Sequence, residues 1–266
     1  MNQFSNRKPR GYLLAFLLLA TLSFAAKCKS NQGARHELHV YAASSLTDVF
    51  QDLEKVFEDR YPDIDLLVSF AGSQVLRLQI EQGATADVFA SANRKHMKAL
   101  MEAGRVEESR VFASNELSLI VPKDNPAKID TFADLPRAAR LVIGTQNVPV
   151  GEYTRVALRQ VADEFGNDFD SVVLGRVVSQ ESSVRLVRAK VELGEADAAI
   201  VYRTDSISSE SVRSVPIPSG CNVRIDYTIG LLRRTSNRSQ ALKWLSFVSS
   251  DRGHDILASH GFLVSR

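Results

Sequence analysis

Apolar positions along the chain follow two alternating rhythms. The short run Leu38-His39-Val40-Tyr41 gives way at "AASSL" (42–46) to Leu46, Val49, Phe50, Leu53, Val56 and Phe57, spaced by threes and fours. That change predicts a strand turning directly into a helix, with Ser44 and Ser45 at the helix entrance. The alternation then repeats. Residues 66–70 predict a strand, and "AGSQVLRLQIEQG" a helix closing at Gly83. "ADVFASAN" predicts a short strand followed by a helix to about Gly104, and "SLIVP" a strand stopped by Pro122. A second set comprises strand "RLVIG", a helix over about 151–165, strand "VVLGRVV" (172–178), a helix over about 183–193 and strand "DAAIVY". The long extended run "RIDYTIGLLRR" and the helix "SQALKWLSFVSSDRGHDILASHG" complete the pattern.

Strands alternating with helices place the chain in the α/β class, with helices on the faces of largely parallel sheets. The C-terminal helical segment has no sheet of its own to cover, so it is expected to return to the first sheet. This predicts two lobes, residues 36–115 plus 227–266 and residues 116–226. They would be joined by crossings near Asn115-Glu116-Leu117 and near Asp226-Tyr227. Two crossing strands make a hinge, a standard geometry for closing around a ligand.

The N-terminus carries Arg7, Lys8 and Arg10, then a mostly apolar stretch over 13–26 that ends in small residues. This stretch is shorter than the roughly 18 residues that suggest a membrane span. It reads as a secretory signal peptide over 1–26, with a membrane anchor as the competing reading. Removing its three positive charges from a formal +2 leaves −1 for the exported chain. That balance gives no basic surface for nucleic acid. Of the two cysteines, Cys28 follows the export signal, so lipid attachment there is one reading. Lys27 before it is not the small residue that a lipoprotein signal prefers. A Cys28–Cys221 disulfide is the other reading, permitted by an oxidising compartment.

Small or hydroxyl residues stand between strand and helix four times: "AASSL" (42–46), "FAGSQ" (70–74), "NVPVGEY" (147–153) and "QESSVR" (180–185). Two fall in each expected lobe. In open parallel sheets these turns face the ligand crevice. The first N–H groups of a helix have no partner within it, and the macrodipole adds about half a positive charge. Four such starts aimed at one point can hold an anion with neutral donors alone. Each also has a plain structural reading. Ser45 with Asp48 resembles a capping box, Ser73 and Ser183 suit ordinary caps, and Gly151 suits a turn. Arg185 is the one basic residue close to a start. Glu152 and Glu181 are expected to point to solvent. An enzyme reading finds no Gly-x-Ser-x-Gly elbow, and none of the five histidines falls at these four starts. His36 and His39, three apart on an extended run, face opposite sides and make a poor metal pair.

"AASSLTDVFQDLEKVF", "NVPVGEYTRVAL", "AIVY" and above all "GSxxLxxQIExGAxADVFxSA", as it stands at 72–92, resemble the periplasmic molybdate-binding proteins of ABC transporters. The resemblance runs from about residue 38 to 264. It implies a two-lobed periplasmic binding protein fold of type II, with two mixed sheets flanked by helices. It also implies a tetrahedral oxyanion ligand, molybdate or tungstate, held without a cofactor. Carried over by motif, the ligand hydroxyls are Ser45 and Ser73, the backbone donors belong to Val150 and Val184, and the phenol is Tyr202. The family often has alanine where Val150 stands, a departure that costs only room because the backbone N–H does the work. The resemblance further implies a monomeric extracytoplasmic carrier that docks on a membrane permease and makes or breaks no bond. A carrier of another oxyanion, such as sulfate or phosphate, is the alternative.

Overall fold

The computed structural model describes residues 35–265; the expected signal peptide, Cys28 and its two expected fates lie outside them. The chain runs β1 (His36–Ala43), a 3-10 turn (Ser44–Leu46), α1 (Thr47–Arg60), β2 (Ile64–Ala71), α2 (Ser73–Glu81), β3 (Val88–Ser91), α3 (Arg94–Glu102), β4 (Val106–Asn115) and β5 (Leu117–Pro122). A second 3-10 turn (Phe132–Arg137) precedes β6 (Leu141–Gly144), α4 (Pro149–Gln160), α5 (Ala162–Phe165), α6 (Phe169–Leu174), β7 (Val177–Glu181), α7 (Val184–Glu192) and β8 (Ala198–Tyr202). The remainder is α8 (Arg203–Ile207), β9 (Val212–Val215), β10 (Ile225–Leu232), α9 (Arg238–Val248) and α10 (Asp251–Ser259).

These strands form two five-stranded sheets, ordered β2-β1-β3-β10-β4 and β7-β6-β8-β5-β9. Both are mixed. β1 lies parallel to β2 and β3, whereas β10 is antiparallel to β3 and β4. In the second sheet β6 is parallel to β7 and β8, while β5 is antiparallel to β8 and β9. The chain passes from one sheet to the other at Glu116, between β4 and β5, and returns between β9 and β10.

Register decides where the helix starts lie. Ala43 pairs with Ala71, and Ala42 with Ala90, so the turns after β1, β2 and β3 emerge at one edge of the first sheet. Gly144 pairs with Glu181, and the parallel β8 ends at Tyr202, so the second sheet presents its own set of strand ends together.

Burial follows the predicted periodicity. Val49, Phe50, Leu53 and Phe57 form the buried face of α1. Trp244 of α9 meets Phe50 and Phe57 edge-on, at ring-centroid distances of 5.5 and 5.1 Å. The C-terminal helical segment therefore does return to the first sheet's core. A second aromatic group, Phe132, Phe165 and Phe169, lies on the other sheet's helices.

Several expectations change. "VVLGRVV" is not one strand: residues up to Leu174 end α6, Gly175 is its C-cap, and the strand starts at Val177. A β-branched apolar run suits either state, and here Val173 is fully buried as part of a helix face. β4 escapes the pattern because "VEESR" exposes polar residues along an edge strand whose register on β10 is interrupted by bulges. β9 is missed for the same reason, being a four-residue edge strand. The C-terminal helix is two helices, parted where Ser250 caps α10 by accepting the Gly253 N–H.

Candidate functional site

A small cleft brings together all five residues singled out from the sequence: Ser45, Ser73, Val150, Val184 and Tyr202. Small residues, Ala43, Ser44, Gly72 and Ala92, supply most of the remaining wall, together with Val148 and Pro149. Among the described residues, no charged side chain lines it.

Each residue arrives through local folding. Ser45 sits in the 3-10 turn after β1, and no side chain caps that turn. The capping box expected from Ser45 and Asp48 is absent. Instead Ser45 Oγ lies 2.8 Å from the Tyr227 hydroxyl, and Asp48 pairs with Arg185 at 2.6 Å. Ser73 is not a cap either. It opens α2, with Gly72 as N-cap, and its Oγ accepts the Ala92 N–H at 3.1 Å. Ser183 is the ordinary cap, accepting the Leu186 N–H at 3.4 Å. Val184 follows it as the first residue of α7, and Val150 is the second residue of α4. Backbone N–H groups at those positions have no intrahelical acceptor.

Tyr202 ends β8 and is 1% exposed, yet its hydroxyl has no hydrogen-bond partner among the described residues. Burial, followed by the proximity of Tyr227, pushes its pKa well above the ordinary 10.0, so the phenol keeps its proton. A buried O–H without an acceptor costs about 1–3 kcal/mol, and this one borders the cleft.

Two glycines allow close approach. A Cβ on Gly151 would lie 2.1 Å from Thr145 O, so α4 can start against the end of β6 only without a side chain there. A Cβ on Gly72 would lie 2.4 Å from Ser182 O, which belongs to the segment before α7. Gln74 reinforces that junction by donating to Ser182 O at 2.8 Å.

Charges near the cleft pair with one another. Arg185 reaches from α7 to Asp48 of α1 and donates to Ser44 O at 3.3 Å. Burial works against the ionised Asp48, but the Arg185 guanidinium holds its pKa below the usual carboxylate value. Glu152 does not simply face solvent: it pairs with Lys95 at 3.4 Å and accepts from Asn93 Nδ2 at 3.4 Å. Glu181 accepts the Ser179 hydroxyl at 2.6 Å. Neither glutamate lines the cleft. Sequence reasoning missed Tyr227, whose place behind Ser45 is a contact across 182 positions. It also missed His96, whose Nε2 lies 3.1 Å from Asn147 O in the third segment.

Two mixed sheets with helix starts converging on a small, neutral, donor-rich cleft define a two-lobed binding protein of type II. The chain belongs to the bacterial extracellular solute-binding protein family, whose model matches residues 38–263. It is 37% identical over 234 residues to the molybdate-binding protein ModA of Mycobacterium tuberculosis, covering 87% of this chain and 85% of that one. The corresponding figure for ModA of Haemophilus influenzae is 32% over 257 residues, covering 92% and 95%. Among solved structures, the periplasmic molybdate-binding protein of Azotobacter vinelandii matches with a TM-score of 0.73 at 18% identity, covering 86% of this chain and 100% of that one. The sulfate-binding protein SubI of M. tuberculosis matches with a TM-score of 0.76 at 14% identity, covering 86% of each. At those identities the two structures speak for the fold alone.

Proposed function

We propose that this chain is an extracytoplasmic carrier that captures molybdate or tungstate between two lobes, residues 36–115 plus 227–266 and residues 116–226, and delivers it to the permease of an ABC importer. The observation that carries the reading is the Tyr202 hydroxyl, buried without a partner at the wall of a cleft that also holds two serines not used as caps. Ser45 and Ser73 supply hydroxyl hydrogens, Val150 and Val184 supply backbone N–H groups, and Tyr202 supplies its O–H. Identity to molybdate-binding relatives over most of the chain supports the choice of oxyanion.

A cage made only of donors selects its guest. Hydrogen phosphate would turn its own O–H against a donor, leaving two hydrogens facing each other. Sulfate carries no proton but is smaller, so fixed donors cannot all reach it. Molybdate and tungstate are nearly equal in size and bind alike. The protein works as an exported monomer, without a cofactor and without making or breaking a bond.

Calorimetry and thermal shift with molybdate, tungstate, sulfate and phosphate test the reading. A ligand at 100 times its Kd stabilises by about 2.7 kcal/mol. Molybdate and tungstate should raise the melting temperature and phosphate should not, and Ser73→Ala should weaken molybdate about 10-fold. A shift with phosphate or sulfate but not molybdate, or unchanged affinity in Ser73→Ala, overturns it.

A further inference from the structure

Two hydroxyls in the cleft wall each face a second polar atom behind the wall, and the direction of those hydrogen bonds fixes what the wall can offer. A serine hydroxyl has one hydrogen to give. Ser73 Oγ accepts from the Ala92 backbone N–H, which can only donate, so the Ser73 hydrogen remains available to the cleft. Ser45 has a different neighbour: the Tyr227 hydroxyl at 2.8 Å, where either oxygen is able to donate. If Ser45 donated to Tyr227, it would present a lone pair to an anion. If Tyr227 donates, Ser45 presents its hydrogen.

The surroundings of Tyr227 favour the second arrangement. The residue is fully buried, with its ring against Phe112, Tyr202 and Phe262. Burial pushes its pKa well up, so it always has a proton to donate. Its hydroxyl hydrogen needs an acceptor, because a buried O–H left without one costs about 1–3 kcal/mol, and Ser45 Oγ stands 2.8 Å away. Ser45 borders the cleft and can turn its own hydrogen there, whereas Tyr227 does not reach the cleft and has no such outlet.

We propose that Tyr227 is a positioning and specificity-determining residue: donating to Ser45 Oγ, it turns the Ser45 hydrogen into the cleft, so that both serines act only as donors and anions carrying a proton are rejected. The inference rests on the oxyanion reading above and adds to it a residue outside the cleft wall. Tyr227→Phe keeps the ring packing and removes only the directing O–H. The Ser45 hydroxyl is then free to rotate, and its lone pair becomes available to a protonated guest.

The test is a double-mutant cycle by calorimetry at pH 8 on wild type, Ser45→Ala, Tyr227→Phe and the double variant, with molybdate and inorganic phosphate as ligands. The expected result is a roughly 5- to 20-fold loss of molybdate affinity in Tyr227→Phe, with a narrower molybdate-to-phosphate ratio. In the Ser45→Ala background the same change should add less than about 2-fold. Full multiplication of the two losses would make Tyr227 merely structural and overturn the proposal, and so would an unchanged ratio in Tyr227→Phe. If Ser45→Ala alone leaves molybdate binding intact, Ser45 leaves the cage and the relay goes with it. If wild type binds no molybdate at all, the carrier reading itself has failed. Melting temperatures without ligand confirm that each variant is folded.

Discussion

Asp205 gives a pH dependence of stability that can be worked out from its surroundings. It lies on α8 just beyond Tyr202, is 3% exposed, and its Oδ2 has no hydrogen-bond partner among the described residues. Arg188 is close, but it donates to the Asp205 backbone carbonyl at 3.1 Å and to Ser208 Oγ at 2.7 Å. Burial therefore dominates and pushes the carboxyl from its ordinary 3.8 up to about 7, against the pull of Arg188 and Arg185. The native state then keeps a proton that the unfolded chain releases near pH 4. Its stability contribution is complete below that pH and is lost as the pH rises to about 7. Each tenfold change in proton affinity corresponds to about 1.4 kcal/mol, so the loss is on the order of 4 kcal/mol. Asparagine has the shape of the protonated form and cannot ionise. In Asp205→Asn the loss disappears, and the variant's advantage over wild type opens between pH 4 and 7. By pH 8 it should reach roughly 10 °C in melting temperature for a domain of this size. Paired thermal melts across pH 4–8 read the difference directly, because every other titrating group is shared. A constant gap between the two proteins over that range would refute the reasoning.

Two further substitutions probe the cleft. Tyr202→Phe removes a buried O–H without a partner, so the ligand-free melting temperature should hold or rise while calorimetry shows molybdate affinity falling at least 10-fold. A drop in stability with unchanged affinity would mark Tyr202 as an ordinary core residue. Gly72→Ala places a methyl where Ser182 O already stands, 2.4 Å away. It should weaken molybdate more than 10-fold and leave the circular dichroism of the folded chain unaltered. Wild-type affinity in that variant would mean the junction between the starts of α2 and α7 does not close on the ligand.

Much of this architecture was legible in the sequence because a period-2 run yielding to a period-3.6 run at a small-residue turn has one physical meaning. The β1–α1, β2–α2 and β8 regions show it cleanly. Legibility failed where a segment's state depends on a distant partner. "VEESR" becomes a strand because β10 lies beside it, and residues 172–174 become helical because α6 buries Val173. The five cleft residues were found through a motif. Composition alone left Ser45 and Ser73 as caps, and only the three-dimensional bonds to Tyr227 and Ala92 separate them from Ser183, which is one. Tyr227 and His96 lay beyond reach, since nothing local in "RIDYTIG" or "NRKHMK" announces a partner 182 or 51 positions away.

The placement of charge around the cleft explains why such a site can be both selective and reversible. An arginine inside would attract any anion whatever its protonation state and would hold it in the open form too. Here the nearby charges are already spent on each other, Arg185 with Asp48 and Lys95 with Glu152. Both pairs join a helix of the first sheet to a helix of the second, and all four side chains are partly exposed. Pairs of that kind contribute about 0–1 kcal/mol each, which is too little to keep the halves together unaided. On the proposed reading, neutral donors would make up the difference only when a guest accepts from both halves at once. Ser45 and Ser73 follow strands of the first sheet, whereas Val150, Val184 and Tyr202 belong to the second. On the carrier reading proposed above, separating the halves would therefore remove part of the cage in one movement, and the anion would leave without any side chain having to change its charge.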